Sequence, residues 1–119
     1  MVKLYRYLLH IKIKDGKQTV KLELEEYNVS EPTANAKNYV IKNFHGNTAA
    51  RHIPIENIGL VKGSFSDSDV ISSMFSMWFL DDLDGNKNIL LDTVKKRQEK
   101  EIEALEKRLN QLNELKIEV

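Results

Sequence analysis

From Asn88 to about Glu118 the chain carries neither glycine nor proline, and its apolar residues fall at Leu91, Val94, Ile102, Leu105, Leu109, Leu112 and Leu115. Steps of three and four place them on one stripe of a long helix, with Gln98 filling the one polar turn. From Ile102 onward the spacing is heptad-like for barely two and a half repeats, shorter than a free-standing coiled coil needs. The stripe therefore requires a partner surface.

At 1.5 Å per residue such a helix reaches roughly 45 Å, whereas a compact globule of this chain length has a radius of gyration of roughly 13–14 Å and a diameter of about 35 Å. The helix must overhang its own body. Burying six aliphatic side chains contributes on the order of 9–18 kcal/mol before ordering costs, as an upper bound. The expectation is that the C-terminal half packs against another copy of the chain, making a homo-oligomer, a dimer or higher.

With 119 residues there is material for one domain and one core. Eighteen Lys and Arg balance eighteen Asp and Glu, which argues against a general binder of long nucleic acid. The charge is unevenly spread: residues 1–60 carry +3, residues 61–88 carry −3, and the remaining helical segment holds seven charges of each sign. The basic front half favours a small anionic ligand. With no cysteine, disulfides, thiolate nucleophiles and thiolate metal sites are excluded together. No apolar run is long enough for a membrane span and the first residues alternate basic with apolar types, so a soluble, cytoplasmic protein is expected.

Asp15-Gly16 is a two-residue turn signal, because a type I′ turn needs positive φ at both central positions. Closing the hairpin there pairs Lys14 with Lys17 and sets Ile11 opposite Val20, Leu9 opposite Leu22 and Tyr7 opposite Leu24 on one apolar face. The other face pairs Arg6 with Glu25 and His10 with Lys21. A connection over 28–36 leads to a strand from about Asn38 to Phe44, a turn at His45-Gly46-Asn47, and a return over Ala50 to Ile53 that Pro54 ends. Glu56-Asn57 turns the chain into a further extension at Gly59-Leu60-Val61, and Ser64 to Asp69 is a polar loop.

Val70 to Leu80 is ambiguous. Ile71, Met74, Phe75 and Trp78 match helical spacing, while Phe75, Met77 and Phe79 match strand alternation; aromatic density favours a strand over Met74 to Leu80. The acidic cluster Asp81-Asp82-Leu83-Asp84-Gly85-Asn86 then starts the helix. The expected fold is α+β: an antiparallel, meander-like sheet of about five strands within residues 1–80, followed by one long helix within 81–119.

The N-terminal hairpin, the turn Ile53-Pro54-Ile55-Glu56-Asn57-Ile58-Gly59, the aromatic stretch Trp78-Phe79-Leu80-Asp81-Asp82 and the charged helix Val94-Lys95-Lys96-Arg97-Gln98-Glu99-Lys100-Glu101-Ile102 together resemble small phage proteins of the Thoeris anti-defence signal-sponge family. The resemblance covers nearly the whole chain. It implies a non-enzymatic oligomer that sequesters signalling isomers of cyclic ADP-ribose made by bacterial immune enzymes, with cyclic oligonucleotides as ligands of some members. No binding residue is carried over from it.

The residues themselves offer little catalytic chemistry. His10, His45 and His52 are scattered without metal-ligand spacing. Counted from Asp82, a calcium loop would need glycine sixth and glutamate twelfth, whereas the glycine comes fourth and Thr93 twelfth. These carboxylates read instead as helix caps. The serines stand in no nucleophile setting, and Gly59 and Gly63 open no phosphate-binding helix. The expectation is no enzyme, no metal and no cofactor.

Binding is better supplied. A nucleotide-like ligand needs a flat apolar face, a guanidinium or ammonium group, and an amide to read polar edges. Trp78 and Phe79 before the helix, Asn88 in its first turn and Arg97 further along offer all three, and Arg108 could join them only from a neighbouring subunit. Arg6 and Arg51 on the basic front half are additional candidates. Each has a plainer reading: core packing for the aromatics, solvated pairing for the arginines, helix capping for Asn88. Two functions follow, a sponge that holds a cyclic nucleotide signal between subunits without cleaving it, and an adaptor acting through its helix seam alone.

Overall fold

The computed structural model describes residues 2–42, 50–66, 70–81 and 84–118. Two long strands, β1 (Val2–Lys14) and β2 (Lys17–Val29), form the hairpin in the expected register, from Lys14 opposite Lys17 through Ile11 opposite Val20 to Tyr7 opposite Leu24. Asp15 and Gly16 have φ of 53° and 74°, the pair of left-handed conformations that a type I′ turn requires. Ion pairs border the hairpin: Lys3 Nζ lies 2.6 Å from Glu26 across the two strands, and Lys21 Nζ 2.8 Å from Glu23 along β2.

The ambiguous aromatic stretch is a strand, which completes β3 (Asn38–Ile41), β4 (Arg51–Pro54), β5 (Val61–Lys62) and β6 (Ile71–Phe79). Strand β6 lies antiparallel against the free edge of β1, from Tyr5 opposite Phe79 to Ile13 opposite Ile71. The backbone of β1 is thereby hydrogen-bonded on both sides, and a strand outcompetes a helix for those donors and acceptors. The main sheet has the order β2-β1-β6-β5, and β3 and β4 form a separate two-stranded sheet. The sheet-then-helix plan holds, and among the described residues six strands share two sheets with the first strand central, an arrangement that a simple meander lacks. The strand expected to reach Phe44 is described as far as Ile41, and the turn at His45-Gly46-Asn47 lies outside the described residues.

Because successive strand residues face opposite sides, the main sheet builds a core on each face. On one face Tyr5, Tyr7, Leu9, Phe75, Met77 and Phe79 pack with Leu90 and Val94 of the helix α1 (Asp84–Glu114). On the other, Leu4, Val29 and Trp78 pack with Tyr39, Ile41 and Ile53 of the small sheet. Gly63 allows β6 to pass the end of β5: its φ is 125°, and a Cβ there would lie 2.3 Å from the Met74 carbonyl oxygen.

Only the first half of α1 is covered. Leu90 is fully buried and Val94 nearly so, whereas Ile102, Leu105, Leu109, Leu112 and Leu115 are 46–60% exposed. The molecule is correspondingly long, 68 × 33 × 30 Å with a radius of gyration of 19.2 Å, against about 13–14 Å for a compact chain of this size. No helix of the described residues is long and apolar enough to cross a membrane.

Candidate functional site

The seven residues singled out from the sequence do not form one site. Strand alternation sends Trp78 and Phe79 to opposite faces of the sheet, which corrects the expectation that they share a neighbourhood with Asn88 and Arg97. Trp78 is 6% exposed on the small-sheet side, where it meets both front-half arginines: the Arg6 guanidinium carbon is 4.8 Å and that of Arg51 5.7 Å from its ring centre. Tyr27 adds a tilted ring at 5.9 Å.

The buried Arg6 is neutralised on the neighbouring strand. Its Nε donates to Glu25 Oε1 at 2.6 Å, and a terminal nitrogen reaches the same oxygen. A planar guanidinium can hold a carboxylate in its plane while lying on an aromatic face, which a lysine could not do as well. Burial, followed by the Glu25 carboxylate, holds the Tyr27 phenol above its ordinary pKa. This is a packed cation–aromatic stack, and a ligand would have to displace protein groups to use the Trp78 ring.

Phe79, 3% exposed, stacks on Tyr5 and Tyr7 at centroid separations of 5.7 and 4.9 Å. Asn88 and Arg108 are exposed on α1, the first near the start of the helix and the second on its bare half. At the helix start it is Asn86 that makes the local contact, donating from its side chain to the Asp81 carboxylate at 2.5 Å.

Arg97 marks a different place. Its two terminal nitrogens donate to the carbonyls of Val61 and Gly63, each at 2.9 Å. These contacts tie α1 to the edge strand β5, where main-chain acceptors lack a neighbouring strand. Beside this clamp lies an open cleft of about 460 Å³ lined by Val61, Lys62, Gly63, Ser64, Phe65, Arg97, Lys100 and Glu101. Its lining residues include three basic ones and one acidic one. Phe65 forms part of the wall, its ring held edge-on to Phe75 at 5.0 Å. The loop that presents Phe65 is fixed by serines: Ser66 N donates to Ser73 Oγ at 3.0 Å, and Ser72 N to Ser66 Oγ at 3.2 Å.

Sequence reading found Arg97 but missed Lys62, Phe65 and Lys100. Two signals were present: Lys100 follows Arg97 at a spacing that shares a helix face, and Phe65 is the lone aromatic in a serine-rich loop. The position of Lys62 became readable only once β5 was known to be the sheet edge.

A second, apolar wedge of about 630 Å³ opens between the turn end of the hairpin and the middle of α1. Ile11, Ile13, Val20 and Ile71 form its floor, and Leu91, Val94, Ile102 and Leu105 its roof. Phe65 and Glu101 belong to both hollows. Among the described residues no three His, Asp or Glu side chains converge as a metal site would require. Comparison with protein-family models, with curated proteins and with solved structures gave no match.

Proposed function

We propose that the chain is a non-catalytic binding protein: a homo-oligomer that captures an anionic, nucleotide-class ligand at the cleft between β5 and α1 and releases it unchanged. The observation that carries this reading is the grouping of Lys62, Arg97 and Lys100 with Phe65 around a hollow of about 460 Å³. Cations for phosphates and an aromatic wall for a base are what such a ligand needs. A cyclic ADP-ribose isomer is the ligand that the resemblance to the Thoeris anti-defence sponges implies, with a cyclic oligonucleotide next. In that role the protein is phage-type, works in the cytoplasm of the host cell, and acts by stoichiometry because nothing turns over.

The test is a titration with cyclic ADP-ribose isomers and cyclic dinucleotides, followed by denaturation and analysis of the released compound. A binder gains about 2.7 kcal/mol of stability at a hundredfold ligand excess over Kd. Lys62→Ala and Lys100→Ala, which remove exposed cations without touching the Arg97 clamp, are each expected to weaken binding about tenfold. Intact ligand recovered in proportion to protein supports the reading. Cleaved ligand means an enzyme, and no retention at micromolar protein removes the sponge.

A second reading, an adaptor that works through its helix alone, is favoured by the bare stripe Ile102, Leu105, Leu109, Leu112 and Leu115. In that case the lysine substitutions leave every interaction intact, and replacing the leucines abolishes them.

A further inference from the structure

We infer that the exposed half of α1 pairs antiparallel with the same half of a second copy, in the register where the numbers of facing residues add up to 214. This rests on the oligomeric part of the proposed function and goes beyond it by fixing the partner, the direction and the register. In that register Ile102 faces the second copy's Leu112, and Leu105 faces its Leu109. The two-fold axis repeats both contacts. Every layer from 102 to 112 is then aliphatic on both sides, as an antiparallel seam requires.

Moving the register by one heptad toward the body sets Gln98 opposite Leu109, and moving it the other way carries the partner of Leu105 past Glu114, where the second copy's helix ends. The first shift buries a polar side chain against leucine, and the second leaves Leu105 without a helical partner. A parallel, in-register pair keeps the aliphatic layers and places Glu101 beside the second copy's Glu106, just as the antiparallel pair places Glu106 beside Glu106 and Arg108 beside Arg108, so the flanking charges favour neither direction. The parallel pair brings the two sheet bodies side by side at one end. The antiparallel pair sends the bodies to opposite ends.

The wedge supplies the second argument. Its roof is the inner end of the same seam, Ile102 and Leu105, and its floor is the Ile11, Ile13 and Val20 face of the hairpin. With facing numbers adding up to 214, the end of the second copy's helix at Glu114 arrives level with Lys100 of α1, at the mouth of this hollow, and Leu115 follows directly after it. Each copy's helix end therefore covers apolar surface that the other copy's sheet and helix leave open. The five seam residues are 46–60% exposed in one chain. Joined as a pair they hide on the order of 1,000 Å² of aliphatic surface, the size at which specific interfaces begin. The pairing stretch 102–112 carries Glu103, Glu106, Lys107 and Arg108, two charges of each sign, and so has no net charge.

The chain has no cysteine, so single cysteines report the geometry without background. Ile102→Cys and Leu112→Cys chains are made separately, mixed at a concentration where sedimentation shows association, and oxidised briefly. The expected result is a cross-linked dimer from the mixture and none from either variant alone. A disulfide in Leu112→Cys alone means a parallel pair and overturns the inference while leaving the oligomer intact. Association without cross-links in any combination overturns the register. A wild-type chain that sediments as a monomer up to hundreds of micromolar overturns both the pairing and the oligomeric part of the proposed function. Ligand retention, measured separately, fails or succeeds independently of that result.

Discussion

The two halves of α1 follow the same rule and meet different fates. Up to Val94 the helix places Leu90 and Val94 against Met77 and Phe79 and loses its apolar stripe to the core. From Gln98 to Glu118 every residue is exposed, although the stripe continues in step. Hydrophobic periodicity therefore tells which face of a helix wants cover, and the reach of the sheet decides how much of it is covered within one chain. A small domain rarely leaves such a row of leucines wet, and this is the physical basis for expecting a second chain.

The largest expected effect compares one substitution in both halves. Leu90→Ala empties a fully buried position and is expected to cost about 2–5 kcal/mol in urea unfolding. Leu109→Ala, at 57% exposure, is expected to change the stability of the isolated chain by less than about 0.5 kcal/mol, while weakening self-association measurably. Equal losses in dilute protein would erase the distinction between the halves.

Next in size is the far face of the sheet, which holds the buried charge of Arg6 by a different means. Arg6→Ala takes the cationic partner from Glu25 and opens one side of Trp78, and is expected to cost about 3 kcal/mol, the loss typical of breaking a buried ion pair from one side. Arg6→Lys should recover only part of this, because an ammonium cannot lie flat on the indole and fork onto the carboxylate together. Full recovery by lysine would mean that charge alone matters there.

The smallest effect is a titration. The Tyr27 phenol has a raised pKa in the folded chain, so its neutral form is favoured by folding. The stability it contributes is complete below the ordinary tyrosine pKa of about 10 and is lost as pH climbs through the higher folded value. Absorbance should show Tyr27 ionising late, and Tyr27→Phe should remove that step along with part of the alkaline loss of stability.

What could be read in advance divides along the same physical line. The hairpin register was legible because Asp15-Gly16 fixes the turn and a one-residue slip would turn glutamates into the core. The stripe of α1 was legible for the same kind of local reason, although Leu90, its most buried member, was passed over in favour of Leu91 because spacing alone does not choose between neighbouring residues. Long-range pairing was not legible. That β6 lies beside β1 follows from Phe75, Met77 and Phe79 joining the face of Tyr5, Tyr7 and Leu9, and no turn between the two strands announces it. The candidate site failed in sequence at the same point: Trp78 and Phe79 are adjacent in the chain and separated by the thickness of a sheet. Arg97 was found for its type, while its partners, the main-chain carbonyls of Val61 and Gly63, depended on which strand became the edge.

Amide hydrogen exchange along α1, followed as a function of protein concentration, measures the contrast between its halves most directly. Protection of the amides around Leu90 to Val94 should be the same at every concentration, and protection over 102–112 should rise steeply as copies associate. Protection over 102–112 that stays the same in dilute and concentrated protein would contradict the account, because the bare stripe would then have no second chain to cover it.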